Sequence, residues 1–297
     1  MSFDLSQYLS ARRFIVEQTL RGFLDPVVTG TDRLHESIRY SLFCGGKRLR
    51  PILAMAGAEA ICGQSDQVLR LACAVECIHT FSLIHDDLPA IDDDTMRRGS
   101  PTNHVVYGEA MAILAGDALL ALAFELIADS RDALPPERVL ETLAIVARAS
   151  GTQGMVGGQV ADIENEGRED LDESTVASIH ARKTGALLTA SLLGGACLSG
   201  ASAAQLQSLR NYGNEVGLAF QIIDDILDLE GDAQKLGKPI GSDLKQDKAT
   251  YPKVLGIEQS RSLANEAAAR AIAHLQDFGP NAEPLRALAL YFVERDS

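Results

Sequence analysis

The chain has 297 residues, with 41 acidic against 27 basic side chains, a formal charge of −14 and no tryptophan. The deficit of basic residues excludes nucleic acid as an expected partner, since a phosphate backbone is held by a basic stripe. It leaves room for an anionic small molecule, because divalent cations bridge two sets of negative groups. Hydrophobic residues supply 46% of the chain and aromatics only 5%, a balance that favours helices over a β-sandwich.

The opening MSFDLSQYLSARRF lacks the basic-then-apolar pattern of an export signal. TDRLHESIRYSLFCGG begins on a Thr or Asp cap, spaces apolar residues three and four apart, and stops at Gly45-Gly46. RPILAMAGAEAICG runs to Gly63, and DQVLRLACAVECIHTFSLIHDD follows with Asp66 near its cap. Met111 to Ala128 is the most apolar long run. It carries Asp117 and Glu125 and reads as a buried helix, not a membrane span. A subunit interface and burial within one subunit explain it equally well. Helices are further predicted over Pro136–Ser150, Asp172–Leu198, Ala204–Leu229 and Ser260–Phe278, and no stretch alternates strongly enough to predict a sheet. No linker or compositional break divides the chain. The expectation is one all-α domain over residues 1–297, a bundle whose inner helices are apolar on more than one face. Five cysteines without a CxxC pair predict reduced thiols and a cytoplasmic protein, with Cys73 and Cys77 as buried small hydrophobes.

Two acidic blocks interrupt these apolar runs: HDDLPAIDDDTMRRG from His85, and FQIIDDILDLEGD from Phe220. In the second, Asp224 and Asp228 are an i,i+4 pair on one helix face with Asp225 beside them, and three carboxylates this close repel unless a cation intervenes. In the first, Asp86 and Asp92 would point differently on an ideal helix. Pro89 disfavours helix at Leu88, so the chain is expected to leave the helix near Asp87 and bring Asp92 back beside Asp86. Either block alone reads equally as a solvated acidic face or turn. Two together suit Mg²⁺, which takes a few carboxylates and completes its shell with water and substrate phosphate oxygens.

Basic residues recur beside each Gly-rich break or Asp block: Lys47 and Arg50 in GGKRLRP, Arg97 and Arg98 after the first block, Lys183 with Thr184 in HARKTG, and Lys238 and Lys248 after the second. Arg suits bidentate phosphate recognition and Lys acts as a point charge. Singly, each reads as an ordinary surface charge. GGQVAD adds Gln159 and Asp162, three apart on one helix face, which read equally as surface polar residues.

GGKRLRP, SLIHDDLPAIDDDTMRRGSPTNH, GGQVAD, KTG and FQIIDDILDLEGD…LGKPIGSD stand in the order found in trans-prenyltransferases. The chain resembles that family over nearly its whole length, and most of all its bacterial short-chain farnesyl and geranylgeranyl diphosphate synthases. The resemblance implies a large helical fold around a deep central cavity, usually a homodimer. The expected substrates are isopentenyl diphosphate and an allylic diphosphate, with several Mg²⁺ ions, or Mn²⁺ in their place, as cofactor. By the resemblance, Asp86, Asp92 and Asp224 are direct metal ligands and Asp87, Asp225 and Asp228 further or water-mediated supports. Arg97, Lys183 and Lys238 would contact the allylic diphosphate, with Lys248 also in the substrate site. Gly46, Lys47, Arg50, His79 and Arg98 would form the isopentenyl diphosphate pocket. Thr184 and Gln221 would offer oxygens to the allylic cation, so that Arg97, Lys183, Thr184 and Gln221 carry the chemistry.

His85 is expected to hydrogen-bond within its own helix, and Arg295 either to reach a diphosphate or to fray with the terminus. Phe81 precedes Asp86 by five positions, a helical rise of about 7.5 Å, and would floor the prenyl tail's path while the small Ser82 would not block it. In the family an aromatic here, with the two extra residues in Leu88–Ile91, goes with fifteen-carbon products. The expected activity is farnesyl diphosphate synthesis, with geranylgeranyl diphosphate the alternative. A class I terpene cyclase and a non-catalytic regulatory subunit are rival readings. The first is disfavoured by DDILD at the second metal motif, and the second by the intact Asp and Lys/Arg sets.

Overall fold

A computed structural model describes residues 3–25, 29–168, 170–230 and 248–295. Helix α1 (Leu5–Leu24) starts where the Asp4 carboxylate accepts a hydrogen bond from the Gln7 amide at 3.0 Å. Helices α2 (Asp32–Leu42), α3 (Leu49–Cys62) and α4 (Leu69–Asp86) follow. Gly63, at φ 75°, ends α3 as its sequence predicts, because only glycine takes that left-handed conformation without strain. After α4 the strands β1 (Met96–Arg97) and β2 (Ser100–Pro101) pair antiparallel around Arg98-Gly99, whose φ values of 52° and 76° close a tight hairpin. This corrects the expectation of no sheet; two-residue strands are too short to leave an alternating pattern.

Next come α5 (Asn103–Tyr107), α6 (Glu109–Ala128), α7 (Pro136–Ser150) and α8 (Met155–Glu164). The predicted helix over Asp172–Leu198 is α9 (Glu173–His180) and α10 (Ala186–Leu198), joined without a break by a π-helical turn at Ala181–Gly185. Beyond it lie α11 (Ala203–Glu230), α12 (Tyr251–Leu255), α13 (Ile257–Ala273) and α14 (Glu283–Glu294). The helix predicted from Ser260 starts three residues earlier, after Gly256 at φ 79°.

Helix α4 is the centre of one core, with Leu71, Val75, Ile78 and Ile84 enclosed by α1, α2, α3 and α6. Helix α10 is buried from Leu187 to Leu198 among α3, α7 and α11. Its approach to α3 needs glycine: a Cβ on Gly195 would lie 1.9 Å from the Ala54 carbonyl oxygen, and one on Gly57 would lie 2.4 Å from that of Leu192. As expected, Cys73 and Cys77 are fully buried free thiols. Residues 66–86 and 109–132 are both long and apolar enough to cross a membrane. The first is wrapped by the bundle, whereas α6 leaves Ile113 and Leu114 43% and 54% exposed.

Candidate active site

Between the C-terminal half of α4, helix α8, the π turn and the end of α11 lies a cavity of about 590 Å³. That is within the usual range of small-molecule sites, about 300–1,000 Å³. Its wall gathers Arg50, His79, Phe81, Ser82, Asp86, Arg97, Arg98, Lys183, Thr184, Gln221, Asp224, Asp225 and Lys248. Residues predicted from five separated stretches of sequence therefore meet in one place.

The first acidic block turns as Pro89 requires. Helix α4 ends at Asp86, and the Asp92 amide donates to the Asp86 carbonyl at 2.9 Å, bringing Asp92 back beside Asp86. Asp93 takes φ 50° to make the turn. Asp86 faces the cavity, and burial pushes its carboxyl up to about 6 against the opposing pull of Lys183, with Asp92 adding to the rise. Asp87 points elsewhere. It is buried, and its Oδ1 accepts from Arg97 Nε at 2.7 Å with Nη2 at 2.6 Å. Asp87 therefore aims the Arg97 guanidinium instead of facing the cavity as a metal support, because the helix cap turns it toward the hairpin that carries Arg97.

In the second block Asp225 is buried and spoken for. Its Oδ2 accepts from the Tyr251 amide at 2.9 Å, its Oδ1 accepts from Gln221 Nε2 at 3.3 Å, and His180 Nε2 stands 3.2 Å from Oδ2. That imidazole lies off the line of a good hydrogen bond and stacks on Tyr251 at 5.5 Å. Burial opposes its charge, but the Asp225 carboxylate holds its pKa above the ordinary histidine range. Asp224 is half exposed and takes Arg295 Nη2 at 3.1 Å. The same guanidinium lies 4.1 Å above the Phe220 ring, so the C-terminal segment covers this corner of the site and Arg295 is not frayed. Asp228 is buried in the adjoining cleft and does not reach the cavity wall. One turn beyond Asp224 carries it about 6 Å along α11, into a cleft that it shares with Thr250, Pro252 and Lys253.

Lys183 projects from the π turn onto Asp162 Oδ2 at 2.5 Å, and Lys248 stands 3.2 Å from Asp92 and 3.8 Å from Asp162. Burial works against the Asp162 carboxylate, yet these two ammoniums hold its pKa below the usual range. Helix α8 must lie close to let Asp162 reach them, and Gly158 permits it, since a Cβ there would sit 2.2 Å from the Lys183 backbone nitrogen. Gln159, on the same face, has both amide atoms buried without a hydrogen-bond partner. A buried amide left unsatisfied in a cavity wall is an acceptor and donor waiting for a ligand. Asp162 and Gln159 thus line the cavity, where the helical spacing in GGQVAD and that motif's place in the family order both pointed. Sequence reasoning missed His180 and Tyr251 altogether; no local pattern marks a histidine that acts through a distant aspartate.

The cationic end is set by α3. Gly45 and Gly46 (φ 85° and 127°) and Arg48 (φ 55°) turn the chain so that Arg48 enters the core. There Arg48 meets Glu76 at 2.6 Å and donates to the Leu42 carbonyl at 2.7 Å. Arg50 then faces the cavity, with Nε enclosed and unpaired, and burial pushes its pKa down to about 10. Beside it His79 is held well below its ordinary pKa by burial and then by the surrounding Arg50, Arg98, Arg97 and Arg48, so it is neutral near pH 7. Two expected members of this pocket lie outside its wall. Lys47 points to a separate groove lined by Leu9, Arg13 and Tyr291, because the same turn that sends Arg50 inward sends Lys47 out. Gly46 packs under the Arg98 guanidinium, where a Cβ would come within 2.8 Å of Nη1. Lys238 lies outside the described residues.

Among the described residues no three carboxylate, imidazole or thiol groups are drawn close enough to hold a bare ion. Cationic side chains stand on them instead: Lys248 on Asp92, Arg295 on Asp224 and Arg97 on Asp87. Hard oxygen donors on two facing helices, with Asp86 destabilised as an anion, fit Mg²⁺ held jointly with a substrate's phosphate oxygens.

The polyprenyl synthetase family profile matches residues 31–283. This chain belongs to the polyprenyl synthetase family. A geranylgeranyl diphosphate synthase of Cyanophora paradoxa is 48% identical over 100% of the chain and 98% of its own length. A farnesyl diphosphate synthase of Geobacillus stearothermophilus is 44% identical over 99% and 98%. The crystal structure of an FPP/GFPP synthase from Zymomonas mobilis superposes with a TM-score of 0.86 at 38% identity, covering 97% of this chain and 98% of that one. The chain is therefore of the short-chain trans-prenyltransferase family and has the isoprenoid-synthase type of helical fold.

Proposed function

We propose that this enzyme joins isopentenyl diphosphate to dimethylallyl and then geranyl diphosphate and releases farnesyl diphosphate. The supporting observation is the Phe81 ring in the cavity wall, one and a half helical turns below Asp86. A tail anchored by its diphosphate near Asp86 meets that ring, and a packed interior does not give way to a further isoprene unit. In each cycle the allylic C–O bond breaks and pyrophosphate leaves with the electron pair. The isopentenyl double bond attacks the allylic carbon, a new C–C bond forms, and pyrophosphate takes the proton whose loss restores a double bond. Mg²⁺ or Mn²⁺ held by Asp86, Asp92 and Asp224 would neutralise the leaving pyrophosphate. Arg97 and Lys183 add fixed positive charge there, and Arg50, Arg98 and neutral His79 hold the second diphosphate. Thr184 and Gln221 turn oxygens toward the cation. The name of the Cyanophora relative supports a second reading, a twenty-carbon product.

The exposed apolar residues of α6 support a homodimer closed along that helix, with Ile113 and Leu114 in the seam. Five free thiols support a reducing, cytoplasmic setting. The deciding experiment incubates the purified chain alone with isopentenyl diphosphate, dimethylallyl diphosphate and Mg²⁺, with products identified by chromatography. Farnesyl diphosphate is expected, with Phe81→Ala shifting the product to twenty carbons or more and Asp86→Ala lowering turnover by orders of magnitude. Full turnover in excess EDTA would sink the metal-bridge account. A cyclised hydrocarbon would mean a cyclase, and no product a regulatory subunit.

A further inference from the structure

Phe81 does not stand alone in the cavity wall. One turn along α4, the His85 ring meets it edge to face, with centroids 4.7 Å apart and planes at 73°. His85 does not bond within its own helix as the sequence predicts. Its Nε2 lies 3.1 Å from the Ile113 carbonyl oxygen on α6, and since a carbonyl only accepts, Nε2 carries the proton and donates. The imidazole reaches that oxygen only because position 116 is glycine: a Cβ there would lie 2.2 Å from His85 Nε2 and 2.5 Å from Cδ2. Any side chain on Gly116 must push the imidazole out of its seat.

We propose that His85, seated on Gly116 and tied to Ile113, is a positioning residue for product length that fixes the Phe81 ring as a floor backed by α6. This rests on the reading of Phe81 given above and extends it to the neighbouring helix. An aromatic ring with open space behind it rotates about χ1 between staggered positions and yields depth to a growing tail. Edge-to-face packing against an imidazole that is itself hydrogen-bonded removes that freedom, because the neighbour cannot step aside without breaking its own bond. The tail then meets a braced wall instead of a hinged ring.

The test compares Gly116→Ala, His85→Ala, Phe81→Ala and the His85→Ala/Phe81→Ala pair in the full-length enzyme, reading the ratio of twenty- to fifteen-carbon product at low conversion. The ratio is read from whatever turnover remains, so loss of folded enzyme does not change it, and Gly116 lies on a different helix from Asp86. Gly116→Ala and His85→Ala are each expected to raise the ratio about fivefold, the factor that about 1 kcal/mol carries. The double variant should match Phe81→Ala, because a brace has no effect once its ring is gone. If Phe81→Ala lengthens the product while Gly116→Ala and His85→Ala do not, the brace is overturned and the floor stands. Additional lengthening in the double variant overturns it too, by showing that His85 acts on the cavity directly. A wild-type product of twenty carbons removes the farnesyl reading alone, and the brace is then judged on the ratio of twenty-five to twenty carbons.

Discussion

His79 shows how far its surroundings move a single group. Burial, then the guanidiniums of Arg50, Arg98, Arg97 and Arg48, disfavour its charged form and hold its pKa well below the ordinary value of 6.5. The unfolded chain takes up the proton first as pH falls, so stability is lost from about pH 6.5 downward toward the folded pKa. Between pH 7.5 and 5.5 that amounts to roughly 1 kcal/mol. Urea unfolding of the unliganded protein should therefore show a fall in midpoint over this range, and His79→Gln should remove that share of it. An identical fall in the variant would mean that His79 is solvated and titrates normally. The same neutrality suits a pocket for a diphosphate, where a neutral ring donates a hydrogen bond beside guanidiniums that carry the charge.

At the scale of elements, the contact between α3 and α10 holds the two halves of the core together, and it depends on having no side chain at Gly57 and Gly195. The atom that a Cβ on Gly195 would strike belongs to backbone, so the helices must separate instead of a side chain swinging clear. Gly195→Ala is expected to cost about 1–3 kcal/mol through overpacking. Gly22 in α1 is the control, since nothing lies within 4 Å of its would-be Cβ. Gly22→Ala should raise stability by about 0.5–1 kcal/mol through helix propensity. Chemical denaturation of both variants checks the pair, and equal effects would refute the close approach. The π turn at Ala181–Gly185 belongs to this scale too: it inserts Lys183 and Thr184 into the cavity without ending the helix, and widened turns of this kind mark functional sites.

For the whole molecule, α6 has two faces with different tasks. Its inner face packs on α4 and receives His85 at Gly116, while its outer face leaves Ile113 and Leu114 in solvent. Burying that stripe against a second copy explains an apolar helix that the single chain covers only in part. Sedimentation of the wild-type chain should give a dimer, and Leu114→Glu should shift it toward monomer by placing a charge in a desolvated seam. A wild-type monomer over the micromolar range would end the homodimer proposal, and binding of the monomer to neutral lipid vesicles would assign the stripe to a membrane.

The sequence by itself determined most of the longer helices and pointed to most of the residues that line the cavity. Apolar spacing with glycine and proline stops placed α2, α3, α7 and α11 nearly to the residue, because caps and periodicity are local properties. Pro89 foretold the turn that returns Asp92 to Asp86, again a local steric effect. Only the tertiary structure decided which aspartates face the cavity: Asp86, Asp224 and Asp225 line it, the last of them already bonded to the Tyr251 amide and beside His180, while Asp87 goes to Arg97 and Asp228 to the neighbouring cleft. It also decided that Lys47 turns outward, that Arg48 is a core ion pair and that His85 reaches α6. These choices depend on which helix packs over which face, and the spacing of residues along one helix carries no record of its neighbour across the bundle.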